Sequence, residues 1–468
     1  FYHINADNEY PYNVYGGMQD NGSWAGPAYV WKSQGIRNSY FQEIAFGDGF
    51  DVVPDPDNSR YGFAQSQQGF VVRYDKETGK SQPVRPTHPD KDVLLRFNWN
   101  AAIAQNPFDN SSVYFGSQFL HKTTDKGQTW DIISPDLTTN DPEKQKQFES
   151  GGLTYDATGA ENNTTITAIA PSSLNEETIW VGTDDGNIQL TQDGGQSWNK
   201  VSDNIKGFPA ESWVAQIQAS TYNAGEAFVV VNNYRNFDFK PYLFHTTNYG
   251  KSWSNLTKGD GVWTYTLSVV QDPEEPNLMF LGTDGGMYFS INRGQNWQKW
   301  TNNYPNVPTR DMMIHPREHD LVIGTFGRAI YIMDDIRPLR SLAKEGKAVL
   351  NQPVKLFNPP VAYQAVNQQP SGSRFGANAL FNGENRNPNA MISYLINQPE
   401  QEEGKNEKED EKSDEEKITY DSLKLKIYTM EGELIRTLKK ETPEDKGLHR
   451  MYWRMDEGGQ RRRSSGLT

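Results

Sequence analysis

The chain has 468 residues, no cysteine and a formal net charge of −14, with 12% aromatic but only 35% hydrophobic residues. These values exclude disulfides and thiolate metal sites, and the lack of a basic stretch interleaved with aromatics argues against nucleic acid as a partner. The length allows two domains, and frequent Gly, Asn, Asp and Ser favour many short strands joined by tight turns.

Predicted strands recur in groups of four along residues 1–340. In the fourth group, for example, a strand ending in a proline turn (169–171) precedes a hydrophobic strand ending in Gly-Thr (179–183). Each group takes about 40 to 50 residues, the size of a propeller blade. We therefore predict an all-β fold with a seven-bladed β-propeller, closed by this chain alone or forming part of a larger assembly. The expected blades lie near residues 1–35, 36–82, 94–140, 160–205, 211–258, 262–304 and 308–340.

An octapeptide that recurs four times carries the repeat. Residues 123–130 and 191–198 fit the Asp-box pattern S/T-x-D-x-G-x-S/T-W, while residues 246–253 and 290–297 have Asn in place of Asp. The Asp or Asn side chain accepts hydrogen bonds from its own turn, Gly supplies a positive φ, and Trp packs the hairpin against its neighbour. We predict purely structural roles for the four turn residues, Asp125, Asp193, Asn248 and Asn292.

The position of a turn within its blade decides which face of the propeller it occupies. The octapeptide joins the third and fourth strands, whereas the second-to-third and blade-to-blade connections lie on the opposite face, here called the funnel face. Turns after the Gly-Thr strands therefore supply candidate catalytic acids for proton transfer, Asp20, Asp184 and Asp284. Asp is also an ordinary hairpin-turn residue that caps its own turn, so a purely structural role stays open for each of them.

The same connections bring guanidinium groups for anion contacts, indoles for stacking and further polar groups to the funnel face. Arg310 and Arg328 can equally act as ion-paired braces between the closing blades, and the two tryptophans can equally be packed between blades. The candidate ligand-binding residues are Arg96, Asn98, Trp99, Asp185, Trp213, Arg310 and Arg328.

Beyond residue 340 the propeller pattern stops. We predict a linker over 341–352 and an immunoglobulin-like β-sandwich over 353–460, with an acidic, disordered insertion near 401–417. The segment 425–438 alternates apolar and polar residues around a Glu-Gly turn, as a half-buried hairpin does. The expected strands of this part lie around 354–357, 390–396, 423–428, 434–438 and 449–453.

Together with the Asp boxes, the segments 14–24, 96–100 and 322–332 carry a family resemblance. Residues 1–340 resemble bacterial exported proteins with a sortilin-type (Vps10-like) propeller of the BNR-repeat class, often labelled glycosyl hydrolases. They are more distantly similar to two-propeller xyloglucanases and to sialidases. The resemblance implies a secreted, periplasmic or cell-surface protein, and the non-methionine start at Phe1 leads us to expect a processed or truncated chain. No apolar run reaches the roughly 20 residues of a membrane-spanning helix.

Two functions stay open. The first is an extracellular or cell-envelope module that binds a glycan or a peptide or protein ligand in the funnel, or scaffolds an envelope complex. The second is a glycoside hydrolase with paired carboxylates about 5 to 9.5 Å apart. We favour the first, because no carboxylate pair is singled out by more than turn-compatible spacing. We predict no cofactor and no metal site, since Pro316 interrupts the one close histidine pair, His315 and His319.

Overall fold

The computed structural model describes residues 1–146, 162–259, 261–365, 367–372, 374, 375, 378, 381–397 and 422–460. The chain divides into two compact units. The first comprises Phe1–Tyr29 with Arg37–Ile336, and the second Val30–Ile36 with Arg337–Thr468. The predicted acidic insertion near 401–417 lies outside the described residues. Neither helix found in the described ranges is long and apolar enough to span a membrane.

The first unit consists of antiparallel sheets whose strands follow one another in chain order. Six of these sheets have four strands, and the last has three. A two-residue strand, β4, interrupts the first sheet in sequence. The bounds are β1 Ile4–Ala6, β2 Asn13–Met18, β3 Gly22–Pro27, β4 Ile36–Arg37 and β5 Gln42–Ala45; β6 Val52–Pro54, β7 Tyr61–Ser66, β8 Phe70–Asp75 and β9 Lys80–Pro83; β10 Ile103–Gln105, β11 Val113–Gly116, β12 Leu120–Thr123 and β13 Asp131–Ile132; β14 Ile166–Pro171, β15 Ile179–Thr183, β16 Ile188–Thr191 and β17 Asn199–Lys200; β18 Trp213–Ala219, β19 Ala227–Asn233, β20 Asp238–Thr246 and β21 Ser254–Asn255; β22 Thr266–Gln271, β23 Met279–Thr283, β24 Gly286–Ser290 and β25 Gln298–Lys299; and β26 Thr309–Ile314, β27 Leu321–Thr325 and β28 Ile330–Met333.

The sheets are arranged around an axis. The first strands of successive sheets contact one another in chain order, and β26 returns to contact β1. Side chains join the first and last sheets: the Tyr12 hydroxyl donates to Asp320 Oδ2 at 2.8 Å, and the Ile4 amide donates to Asp311 Oδ2 at 3.0 Å. The all-β propeller predicted from the repeat is therefore confirmed. The blade count of the complete protein stays a prediction.

One blade boundary was wrong. The second blade was expected to begin near residue 36, but β5 pairs with β3, with Ser23 opposite Ala45 and Ala25 opposite Gln42. The first sheet thus extends to Ala45, and the second begins at Val52. The reason is that residues 30–36 belong to the other unit, so the chain returns to the first sheet later than the repeat indicates.

The core lies between adjacent sheets, because most second strands are buried on both faces. In β15 every residue is buried, and its second residue, Trp180, is packed among apolar side chains of the fourth and fifth sheets. Gly182 of the same strand comes so close to the next sheet that a Cβ would meet Val214 at 2.3 Å. A small residue before the final Thr of this strand is therefore required for the sheets to approach each other.

The four octapeptides form the same turn between the third and fourth strands. In the first copy Asp125 Oδ1 accepts from the Thr129 amide at 2.9 Å, and Asp125 Oδ2 accepts from the Thr129 hydroxyl at 2.7 Å. These bonds hold the pKa of Asp125 below its usual value. In the third copy Asn248 Oδ1 accepts from the Ser252 amide at 3.0 Å. The turn lies on the face that the repeat predicted, opposite the funnel face.

Removing the turn's acceptor should destabilise the propeller. We expect Asp125→Ala to lower the free energy of unfolding by about 1–2 kcal/mol, because two donors of Thr129 and the hydroxyl of Thr123 lose their partner. Asp125→Asn is the matched control, since Asn248 and Asn292 occupy this position in the chain itself. Urea unfolding measures both variants; equal losses for Ala and Asn would contradict a hydrogen-bonding role.

The second unit contains two helices and the remaining strands. The predicted linker at 341–352 is largely helical, and the expected strand positions are confirmed to within a few residues. β31 is buried along its whole length between two partner strands, while a separate hairpin has its apolar side chains half-buried. The immunoglobulin-like topology stays a prediction. The bounds are α1 Arg337–Glu345, α2 Lys347–Leu350, β29 Val354–Leu356, β30 Asn382–Gly383, β31 Ala390–Ile396, β32 Ser422–Tyr428, β33 Leu434–Glu441 and β34 Gly447–Trp453.

Candidate functional site

A cavity of about 320 Å³ lies where the first strands of the sheets converge, here called the axial cavity. Every sheet of the first unit contributes to it, mostly through residues that precede or begin its first strand. The cavity therefore lies on the propeller axis at the funnel face. It is lined by Tyr2, His3, Phe50, Asn98, Trp99, Asn100, Asn162, Trp213, Ala215, Asn232, Tyr234, Arg235, Leu267 and Arg310.

Arg235 lies against two aromatic rings of the cavity wall. Its guanidinium carbon is 3.8 Å from the centre of the Trp213 ring and 4.5 Å from that of the Tyr234 ring. The side chain makes one long hydrogen bond, from Nη1 to Asn232 Oδ1 at 3.4 Å. Burial lowers the pKa of Arg235, and the nearby charge of Arg310 contributes to that shift.

Arg310 lies in the first strand of the last sheet and also lines the cavity. Its guanidinium carbon is 5.3 Å from the ring centres of both Tyr2 and Phe326. Within the described part of the chain, no carboxylate forms an ion pair with Arg310 or with Arg235. The cavity wall therefore holds two cationic groups that lean on aromatic rings and lack a charged partner.

His3 is held between an acid and an amide at the cavity wall. Its Nδ1 is 3.3 Å from Asp311 Oδ2, and its Nε2 is 2.7 Å from Asn100 Nδ2. Burial opposes the charged form, but the hydrogen bond and charge of Asp311, together with the charge of Asp51, raise the pKa of His3 overall. Burial also raises the pKa of Asp51 to about 6. Asp311 and Asp51 thus already interact with His3 of the cavity wall.

The indoles complete the wall. Trp213 begins β18 and carries Arg235 on its face, and Trp99 lies in the connection that enters the third sheet. The Nε1 of Trp99 is buried, and among the described residues it has no hydrogen-bond partner. A buried donor without an acceptor costs free energy unless a ligand or water accepts from it. We take this donor as part of the candidate site.

None of the three predicted catalytic acids lines the axial cavity. Asp20 is exposed in a left-handed turn, with φ +60°, and its amide donates to Asp48 Oδ1 at 2.8 Å. Asp284 Oδ1 accepts from the Tyr265 hydroxyl at 2.8 Å. Asp184 is buried; it accepts from Thr165. Among the described residues, the side chains of Asp184 and Asp284 thus accept hydrogen bonds from other segments and not from their own turns, and a catalytic role for the three acids stays a prediction.

The predicted ligand-binding residues divide into two groups. Asn98, Trp99, Trp213 and Arg310 line the axial cavity, and their ligand-binding role stays a prediction. Arg96, Asp185 and Arg328 do not line it.

The residues outside the cavity have other contacts. Arg96 forms an ion pair with Asp136, Nη2 to Oδ2 at 2.8 Å. Asp185 Oδ2 accepts from the amide and hydroxyl of Thr139 at 2.8 and 2.7 Å. Arg328 is exposed, in the connection between β27 and β28.

Asp184 makes stability depend on pH. Burial raises its pKa from 3.8 to about 7, and the charge of Asp185 adds to the shift against the hydrogen bonds from Thr165 and Asn98. Because the folded state favours the protonated acid, this stabilisation is complete below about pH 4 and is lost as the pH rises through 7. We expect the free energy of unfolding to fall over that range in the wild type and to change less in Asp184→Asn. An identical pH profile for both proteins in urea unfolding would contradict this assignment.

Arg235, Tyr234, Asn232 and His3 were missed in the sequence. The sequence signal was a strand that ends in Gly-Thr, followed by a turn. The second strand of the fifth sheet, β19, ends in Asn232 and Asn233 instead. Its following turn therefore lacked the signal. The sequence signal that could have identified this turn is the pair Tyr234-Arg235, which directly follows a buried strand.

No family model matches the chain. Over 193 residues, 36% of the chain, the sequence is 28% identical to the oligoxyloglucan-reducing end-specific xyloglucanase of Emericella nidulans. The match covers 23% of that enzyme, so the chain spans about a quarter of the length of this curated relative.

Solved structures show the same fold. The GH74 xyloglucanase from Xanthomonas campestris matches with a TM-score of 0.53 and 15% identity, over 72% of this chain and 52% of that one. The GH74 enzyme of Niastella koreensis matches with a TM-score of 0.48 and 15% identity, over the same shares. The likeness to the Xanthomonas campestris enzyme supports the β-propeller fold. It does not extend to the sortilin-type assignment, which stays a prediction.

Proposed function

We propose that the propeller binds a saccharide in the axial cavity without hydrolysing it. The observation that carries this proposal is the composition of the wall: indoles, amides and guanidinium groups surround the space, and none of its described lining residues is Asp or Glu. Such a wall can stack on a sugar ring and hydrogen bond its hydroxyls. Its described lining lacks the pair of carboxyl groups that most glycoside hydrolases use, and His3 is already in contact with Asp311 and Asn100.

The size and setting of the cavity agree with a short saccharide or the end of a longer one. A volume of about 320 Å³ lies at the lower end of the range for small-molecule sites. The open funnel face leaves room for the rest of a chain. The 28% identity to a xyloglucanase over 193 residues adds support for a glycan rather than a peptide ligand.

The same identity keeps a glycoside hydrolase as the alternative. That chemistry needs two carboxyl groups about 5 to 9.5 Å apart on either side of the scissile bond. Asp184 accepts a hydrogen bond from Thr165, and Asp284 accepts one from Tyr265. Neither acid lines the cavity. We therefore favour binding, and a hydrolytic site would have to lie elsewhere on the funnel face.

The cellular setting follows from the resemblance found in the sequence. We propose a secreted, periplasmic or cell-surface location, where polysaccharides are encountered. An envelope scaffold, with other envelope proteins as partners, is compatible with the same location.

A glycan array followed by calorimetry tests the proposed function. We expect the wild type to bind at least one oligosaccharide and to release no reducing ends from it. Trp213→Ala and Trp99→Ala should each weaken binding at least tenfold, about 1.4 kcal/mol, because each removes an aromatic wall of the cavity.

The matched control is Trp263→Ala, since Trp263 is 66% exposed and does not line the cavity. Its affinity should equal that of the wild type. A wild type that binds no oligosaccharide, or cavity variants that bind as well as the control, would overturn the proposal.

A further inference from the structure

We infer that the saccharide bound in the axial cavity carries a carboxylate, and that Arg235 and Arg310 bind this group. The inference rests on the proposed function and narrows it to one substrate class, oligosaccharides containing uronic acid. It adds a ligand charge that neither the fold nor the likeness to a xyloglucanase implies.

The first argument is the way the two guanidinium groups are held. Arg235 lies 3.8 Å over the Trp213 ring, and Arg310 lies between Tyr2 and Phe326. Aromatic contacts use the faces of a guanidinium and leave its in-plane N–H groups for acceptors. Arg235 uses one of these groups, in the long bond to Asn232, and no hydrogen bond or ion pair of the Arg310 side chain occurs in the described residues. Most of their donors therefore remain for a ligand.

The second argument is the balance of charge at the cavity wall. The acids next to the cavity have other partners: Asp311 accepts from the Ile4 and Met312 amides and contacts His3, and Asp184 accepts from Thr165. Neither forms an ion pair with an arginine of the wall. The two guanidinium groups of the wall thus have no ion-pair partner among the described residues, although the charge of Asp184 acts on Arg235 and the charges of Asp311 and Asp51 act on His3.

The third argument is the proximity of two like charges. Burial, and after it the charge of Arg310, lower the pKa of Arg235, although this residue keeps an exposed surface. An anion bound by both arginines would offset the repulsion between them. The unpartnered Trp99 Nε1 offers a further donor in the same wall. Donors therefore outnumber charged acceptors in this site.

A carboxylate fits this arrangement better than a neutral hydroxyl. The planar fork of arginine matches the two oxygens of a carboxylate, and such charge-assisted bonds are about twice as strong as neutral ones. The sugar ring bearing the carboxylate can then stack against Trp213 or Trp99. The arginines thus bind the carboxylate, and the tryptophans stack on the sugar ring.

Calorimetry on the whole chain with matched ligands tests the inference. The probes are oligogalacturonate and oligoglucuronate, their methyl esters, their sulfated neutral counterparts, and the neutral oligosaccharides of the array. We expect an acidic form to bind at least tenfold more tightly than its own methyl ester. This comparison uses the wild type alone and does not depend on any variant folding.

The arginines are tested by Arg235→Gln and Arg310→Gln. Each should reduce the acid-over-ester preference, measured within the same variant, to threefold or less. Arg328→Gln is the matched control, because Arg328 is exposed and lies outside the cavity, and it should keep the full preference.

The outcomes separate the inference from the proposed function. Binding of neutral sugars or methyl esters as tightly as the acids would overturn the inference and leave the function standing. A preference for sulfated over carboxylated sugars, or an acid preference that survives both glutamine variants, would also overturn it. If no saccharide of any kind binds, the proposed function fails and the inference fails with it.

Discussion

Replacing Trp180 with alanine should lower the free energy of unfolding by about 3–5 kcal/mol, the range seen when large buried aromatics are truncated. Trp180 is fully buried and lies at the centre of the apolar layer between the fourth and fifth sheets. Its ring meets Trp253 edge-to-face, with ring centres 6.2 Å apart. The loss therefore removes apolar contacts between the fourth and fifth sheets and leaves a cavity in that layer.

Trp263→Ala provides the control for this prediction. Both changes delete an indole, but Trp263 is 66% exposed, so its loss should cost no more than about 0.5 kcal/mol. Chemical unfolding of the two variants under the same conditions gives the comparison. If both variants lost the same free energy of unfolding, packing between the sheets would not be the main source of stability.

Gly17→Ala should be nearly as damaging, for a different reason. A Cβ at this position would lie 2.2 Å from the backbone of Gly49 and Phe50 in the next sheet. Backbone atoms cannot move aside as the end of a flexible side chain can, so the two sheets must separate. We expect a loss of about 3 kcal/mol or more in unfolding free energy. Because Phe50 lines the axial cavity, ligand affinity should fall as well.

Gly261→Ala is the matched control for the backbone clash. The nearest atom to a Cβ at Gly261 is 3.6 Å away, an ordinary contact distance. We expect wild-type stability and binding from this variant. A Gly17→Ala protein that unfolds at the wild-type denaturant concentration would show that the first two sheets are not packed as tightly as described.

Much of the fold could be predicted from the sequence, because the repeat is local. The octapeptide turn closes within eight residues, and the alternation of strands and turns repeats in every sheet. The same local signals located strands such as β31 and β15 closely. What the repeat could not reveal was residues 30–36, which leave the first sheet for the other unit. That departure depends on residues far along the chain, such as Asn385, whose Oδ1 accepts a hydrogen bond from the Val30 amide.

The candidate site was harder to predict, since it is formed by single residues from many sheets. Trp213 and Arg310 were found because they sit at the start of first strands. Arg235 was missed because its sheet lacks the Gly-Thr signal. Asp184 shows the opposite case: it follows such a strand and was found by this signal, but its oxygens accept hydrogen bonds from Thr165 and Asn98. Hydrogen bonds between blades decide such cases, and no local pattern records them.

Binding a saccharide and hydrolysing it require different residues in the funnel. Binding needs aromatic walls and donors, which Trp213, Trp99 and Arg310 supply at the axis. Hydrolysis needs an opposed pair of carboxyl groups, which the described lining of the cavity lacks. A propeller of this kind can therefore recognise a polysaccharide and leave its cleavage to another protein or another site.

The most direct test is a crystal structure of the protein with the tightest-binding oligosaccharide of the array. The axial cavity should contain a sugar ring against Trp213 or Trp99, with its polar groups toward Arg235 and Arg310. A saturated crystal with ordered sugar elsewhere on the funnel face, between two carboxyl groups, would contradict the account. It would assign the protein to the hydrolytic alternative.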